Sequence, residues 1–428
     1  MSSSPLAPTD TGTPPGDTRP SLTVLSGFWP AATYAVARAL LAADPTLILI
    51  RHDLADLGNG TVHRIVRDSG GRLEDERITL AHGCASCTLR EDVLPTLARL
   101  ARAHPRRDLV LMLPEVVEPE AVAAVCAHCR VDEVPLTDLV RIDSYLTVVD
   151  AEHLLDGLAS TEGLKALGIQ AADNDDRALA DVIARQIEYA DTLVLWGRSR
   201  DGAYGLDGSA VLLERMAPWA TQVRVDGDVV DADALTRRLR GTHRHRPETP
   251  AVLARGLEGR SLGRHEPQSD CGVVSVVFRA RRPFHPRRLH DVLEDVNSDV
   301  VRSRGHLWLA SQPETVVAWE FAGGGLRLGS LGRWLVALPD AHWDGISDHR
   351  RLAAALDWDP YYGDRHQLLV FVGMDLDPDA LHRTLADCLL TDAELADGED
   401  TWRHYDDPLA GCFPLAHLDP NRAGDSPA

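Results

Sequence analysis

The sequence predicts an α/β protein in two parts: a mainly parallel sheet flanked by helices over residues 21–240, then a smaller α+β C-terminal domain over 271–395. Two patterns carry that expectation. Through the first part, near-continuous apolar runs of strand length alternate with stretches of helical spacing, which is how a parallel sheet buried on both faces reads. Beyond Gly272 the strands follow one another with few helices between them.

Taken in order, residues 1–20 are rich in Ser, Thr and Pro, with one Arg and no apolar core, and read as a disordered tail, neither signal peptide nor targeting helix. "LTVLSG", "LILIRH", "DLVLMLP", "SYLTVVD" and "DTLVLWG" then read as buried strands, with "TYAVARALLAA", "LREDVLPTLARLARA" and "EPEAVAAVCAHC" as helices between several of them. Residues 241–270 lack periodicity and read as a linker; His243, His245 and His265 are read there as ordinary loop histidines. The second domain shows "VVSVVFRA", a helix around "HPRRLHDVLEDV", the strands "GHLWLAS", "TVVAWEFAG", "GGLRLGSLG" and "HQLLVFVGMDL", and the helix "DALHRTLADCLL". "GGG" at 323–325 reads as a hairpin turn, and residues 396–428 as a solvated acidic tail.

Composition narrows the function. A formal charge of −21 argues against a nucleic-acid partner, because an acidic surface repels phosphate backbones. No apolar run approaches the roughly 20 residues that cross a bilayer, so no membrane partner and a cytoplasmic location are expected. Seven cysteines without an export signal point to thiols or metal ligands before disulfides. The chain has a single lysine, Lys165, so any site that demands one has one candidate.

Further motifs in order, "LTVLSGF", "HGCASCTLRED", "EPEAV", "RQIEYADTLVL", "FRARRPFHPRRLH", "VVRSRGHLWLA", "YYGDRHQLLVFVGMDLD" and "DCLLTDAEL", resemble the CobW family of metal-homeostasis GTPases from about residue 22 to 395. The cysteine motif, "IEYAD" and "RSRGHLWLA" are the most specific pieces. The resemblance implies a P-loop NTPase-like domain joined to a CobW C-terminal domain, with GTP and Mg as cofactors and zinc or cobalt as the metal delivered to a client metalloprotein.

The nucleotide motifs themselves depart from that pattern. A phosphate loop needs GxxxxGK and a hydroxyl, so that backbone amides, a lysine and a magnesium ligand converge on phosphate. Here Gly27 matches the first glycine, but Pro30 and Ala32 occupy glycine positions, Thr33 stands for the lysine and Tyr34 for the hydroxyl. Proline removes an amide donor, and alanine resists left-handed backbone. At the γ-phosphate sensor Met112 and Glu115 stand where an acid and a glycine are expected, with Glu118 and Pro119 keeping the later acid and proline. The guanine-reading motif falls on Trp196, Gly197, Arg198 and Ser199, without its aspartate; Asp201 would need a shifted loop. Lys165 lies in the wrong segment to rescue any of them. The expectation is a pseudo-GTPase; the alternative is a GTPase with atypical loops, using Arg38 or another arginine for the phosphates.

In "AHGCASCTLRED" the family's CxCC appears with Ser86 at the middle position, leaving Cys84 and Cys87. Two cysteines at this spacing take neighbouring corners of a zinc tetrahedron; a redox pair or idle thiols in a non-catalytic interaction partner are the alternatives. His52 or Asp53, aligned with a family acid, and His82 are the candidates for the remaining corners. Cys126 and Cys129 read first as helix-face apolar residues, with a joint four-cysteine site left open. The leading expectation is a metal buffer or metallochaperone, or a partner of an active homologue, with zinc or cobalt bound at Cys84, Cys87, His52 and His82.

Overall fold

A computed structural model describes residues 17–412 apart from 201, 228 and 229. Most of the N-terminal tail reading, the end of the acidic tail and Asp201 therefore lie outside the described residues. The first domain contains β1 (Ser21–Ser26), β2 (Ile48–Asp53), β3 (Thr61–Asp68), β4 (Gly71–Thr79), β5 (Leu109–Met112), the short separate hairpin β6 (Arg130–Val131) and β7 (Val134–Pro135), then β8 (Arg141–Asp150), β9 (Thr192–Trp196) and β10 (Thr221–Val225). Eight of these form one sheet in the order β10-β9-β8-β1-β5-β2-β3-β4. The pairings from β10 to β2 are parallel, and β3 and β4 extend the edge antiparallel.

The period of two along β1 assigns its faces. Leu22 and Val24 pack with Leu94, Leu97 and Leu111 on one side. Leu25 packs with Val36, Leu40 and Val148 on the other. Each face is closed by a helix: Leu94–Ala103 covers the first, and Pro30–Ala43 the second. That places the carboxyl ends of β1, β2 and β5 together at one edge, where ligands of open α/β sheets bind.

The second sheet is antiparallel and adds β11 (Glu266–Asp270), β12 (Val273–Ala280), β13 (Val300–Leu307), β14 (Thr315–Ala322), β15 (Gly325–Arg333) and β16 (Gln367–Met374), in the order β11-β12-β16-β13-β14-β15. Helices Pro286–Asp291 and Pro378–Asp387 cover one face through Leu289, Leu381 and Leu385, over Phe278, Trp319 and Phe371. The glycine run does turn the β14–β15 hairpin. Gly323, at φ +55°, also lies so close to the first domain that a Cβ would sit 2.1 Å from the Ser160 carbonyl oxygen.

Two sequence readings need correction. Residues 241–270 are no free linker: Val252 and Leu262 are buried, Glu266–Asp270 pairs as a strand, and His245 packs edge-on against Tyr145 with ring centroids 4.8 Å apart. Short spacing between isolated apolar residues hid this, since no period develops over such a segment. The acidic stretch after 395 is likewise anchored, because Trp402 is buried beside Trp308 and Leu409 joins the second core.

The domains share a core in which Ile183, Ile187 and Leu213 meet Val273, Ala322 and Val372. Within it lies a charge cluster. Glu188, on helix Leu179–Tyr189, is fully buried against Arg302 and Arg304 of β13. Arg302 also meets Glu320 at 3.0 Å, and Arg185 joins Glu320 at 2.7 Å to Glu118 at 3.4 Å. Burial alone would raise the Glu188 carboxyl, but Arg302 and Arg304 outweigh it and hold it below the usual carboxylate range.

Candidate functional site

At the carboxyl edge of the first sheet lies a crevice of about 690 Å³, whose lining includes Pro30, Tyr34, Arg51, His52, Asp53 and Glu115. Its floor differs from a phosphate cradle. Only Gly27, Phe28 and Trp29 separate β1 from the helix, which starts at Pro30. Residues that would form the wide amide-lined arc are therefore already helical. Thr33 is buried and donates its hydroxyl to the Trp29 carbonyl at 3.0 Å. A Cβ on Gly27 would meet the Thr33 Oγ1 at 2.4 Å and the Val148 carbonyl oxygen at 2.7 Å. Gly27 is thus needed for close packing, and it is not among the glycines with positive φ. Tyr34 turns toward β3, where Arg67 donates to its hydroxyl at 2.9 Å.

The other nucleotide elements are similarly committed. Met112 is buried at the end of β5, and Glu118 is held by Arg177 at 2.8 Å. Trp196 packs into the core shared with the first helix, and Arg198 pairs with Asp226 at 2.9 Å. Lys165 pairs with Asp176 at 2.7 Å. Arg38 is exposed and does not line the crevice.

The cysteines sit where the chain enters its covering helix. Cys84 caps the turn Ala85–Cys87, its sulfur accepting the Cys87 amide at 3.3 Å, and a π-helical turn, Thr88–Val93, follows directly. Such turns recur at functional sites because they re-aim side chains. Burial first, then the hydrogen bond and charge of Cys84, and after them Glu91 push the Cys87 thiol up to about 11. Glu91 accepts the Ala81 amide at 3.0 Å, tying down the strap that carries His82. His82 is exposed, and its carbonyl accepts the Cys84 amide at 2.9 Å.

His52 is buried on the crevice wall, with Nε2 lying 2.7 Å from the Asp92 carboxylate. Its Nδ1 is buried without a hydrogen-bond partner. With Nε2 turned to the carboxylate, Nδ1 is the ring nitrogen left to meet a ligand. The structure thus brings Cys84 and Cys87 together, keeps His82 next to them along the chain, and fixes His52 from behind. Among the described residues no three His, Cys, Asp or Glu side chains are arranged to hold a metal ion. Cys126, on helix Pro119–His128, is buried in the first core, its thiol pushed up to about 12 by burial and by Cys129, which caps the carboxyl end of the same helix.

Sequence reasoning missed Glu91, Asp92 and the pairing of "IEYAD" with "RSRGHLWLA" through Glu188, Arg302 and Arg304. A signal was present: arginines two apart share one face of a strand, and flanking apolar residues mark that strand as internal.

Fold and crevice together define an α/β protein of P-loop NTPase architecture with an antiparallel second domain. A model of the CobW/HypB/UreG nucleotide-binding domain matches residues 54–196, and one of the cobalamin synthesis protein cobW C-terminal domain matches 273–389. The chain is 34% identical over 361 residues to a zinc chaperone of Mycobacterium tuberculosis, covering 82% of this chain and 84% of that protein. It is 28% identical over 406 residues to zinc-regulated GTPase metalloprotein activator 1 of Dictyostelium discoideum, covering 91% and 83%. Superposition on the Zn(II)-bound YjiA GTPase of E. coli gives a TM-score of 0.36 at 15% identity, over 87% of this chain and 99% of that one. The chain belongs to the CobW family.

Proposed function

We propose that this protein is a cytoplasmic metallochaperone or metal-homeostasis protein that carries zinc, or cobalt, on Cys84 and Cys87 and has given up GTP hydrolysis. The observation that carries the reading is the cysteine turn, which joins two soft donors in one short segment. Zinc takes four donors, and the turn supplies two. His82 on the strap and the free Nδ1 of His52 are the candidates within the chain, and a client metalloprotein supplies others. A carrier that provides half of the coordination set leaves room for a client to complete and then remove it. The relatives named as a zinc chaperone and a zinc-regulated activator favour zinc over cobalt.

The pseudo-GTPase part is supported by the helix beginning at Pro30 and by Thr33 packed over Gly27. Without a phosphate switch, metal release is governed by the client, or by pairing with an active homologue. The retained crevice with Arg51 at its wall favours a second reading, an atypical nucleotide binder. One untagged preparation decides between them. Zinc near one-to-one, lost in Cys84→Ser and Cys87→Ser, with no saturable heat from GTP and magnesium, is the expected result. Absence of zinc from the reduced protein refutes the carrier, and saturable GTP binding refutes the pseudo-GTPase.

A further inference from the structure

In this chain arginines are as a rule answered by carboxylates, as at Arg177, Arg185, Arg240 and Arg288. A cavity of about 450 Å³ in the second domain breaks that rule. It lies between helix Asp348–Leu356, the segment 256–261 and the start of β16, and Arg260, Arg279 and Arg350 all line it. Among the described residues none of the three has an acidic partner within ion-pair distance. The two acids on the wall are already engaged. Asp364 accepts the amides of Leu335 and Val336 at 2.8 and 3.0 Å, and Asp357 pairs with Arg281 at 2.6 Å.

The rest of the wall adds no compensating negative charge. His366 donates Nδ1–H to the Asp364 carbonyl at 2.9 Å, leaving its Nε2 to accept the Nε2–H of His306 at 3.0 Å. Burial pushes both histidines below their ordinary range, so the pair is neutral. Arg350 is half-buried: its Nη2 donates to the Arg333 carbonyl and Asp364 and Glu258 act on it through space, while its Nε has no hydrogen-bond partner. Three guanidiniums without a carboxylate in direct contact outnumber the two acids of the wall, a local excess of positive charge in a chain of charge −21. Guanidinium forks match oxyanions geometrically, and phosphate above all.

We propose that this hollow binds a small phosphate-class oxyanion, free or as a phosphate monoester, through Arg260, Arg279 and Arg350. The site is separate from the crevice of the first domain and does not depend on whether that crevice or the cysteines bind anything. The test is calorimetric titration of the full chain, in phosphate- and sulfate-free buffer, with inorganic phosphate and with phenyl phosphate. Saturable one-site binding is expected, weakened about tenfold or more in Arg279→Gln and in Arg260→Gln. Both substitutions should leave the thermal midpoint without phosphate unchanged, and Arg72→Gln on the distant β4 should bind as the parent does. Tighter binding of the ester identifies a monoester ligand, and tighter binding of phosphate identifies the free ion. No saturation at millimolar concentrations of either probe, or undiminished affinity in both arginine variants, overturns the proposal.

Discussion

Replacing Glu188 by Ala tests the charge cluster that joins the domains. The carboxylate meets Arg302 Nε at 2.6 Å and Nη2 at 2.8 Å, and also contacts Arg304. All three side chains are buried. Breaking a buried pair by removing one partner costs about 3–5 kcal/mol, because the remaining charge is left uncompensated. Arg302 keeps Glu320 at 3.0 Å, so the stranded group is Arg304, which retains only carbonyl partners at Met216 and Leu262. A loss near the lower end, about 3 kcal/mol, is therefore expected. Urea unfolding followed by tryptophan fluorescence and by circular dichroism measures it, and Trp219, whose ring lies 5.4 Å from the Arg304 guanidinium, reports locally. Glu188→Gln, which keeps the shape, should fall between the two. A loss below about 1 kcal/mol for Glu188→Ala would falsify the assignment of this cluster as a fully desolvated ion pair.

Glu320 falls from an ordinary 4.5 to about 2, burial opposing and Arg302 and Arg185 prevailing. A depressed carboxylate stabilises the fold above its unfolded value and ceases to do so as pH falls, so about 3 kcal/mol should disappear between pH 4.5 and 2; a stability flat across that window refutes it. Zinc carried as proposed must displace the proton of the Cys87 thiol, raised to about 11, at neutral pH, and affinity in indicator competition should climb at least about tenfold per pH unit from 6 to 8. Cys126→Ser sets a hydroxyl in an apolar core and should cost about 1–3 kcal/mol in urea while leaving zinc content unchanged; a drop in zinc would make Cys126 a ligand. Gly27→Ala forces a methyl against the Val148 backbone and should cost about 1–3 kcal/mol, whereas a neutral effect would mean that the turn is more open than described.

Much of this architecture is legible in the residues. Runs such as "LTVLSG" and "DTLVLWG" are apolar at every position because both faces of a central parallel strand are covered. β3 and β4 escape the same reading: Arg72, Glu74 and Glu76 load an edge hairpin with charge, and Arg64, His63 and Asp75 blur the alternation. The degenerate phosphate loop can be read position by position, but its consequence cannot. That Thr33 would fill the space over Gly27, and that the helix would begin a turn early, depends on packing against Val148 from another strand. The cysteine turn is local and therefore visible in sequence, whereas His52 and Asp92 lie 40 residues apart and meet only when the helix covers the sheet.

The joining of Glu188 to Arg302 and Arg304 has a consequence for inheritance. Two short words, one in each domain, spell a single sentence, and a change in one leaves a buried charge in the other unanswered. A chimera that took its second half from a distant cousin would inherit a carboxylate without its guanidiniums unless that cousin carried the same pair. The two halves of this gene are thus expected to travel together.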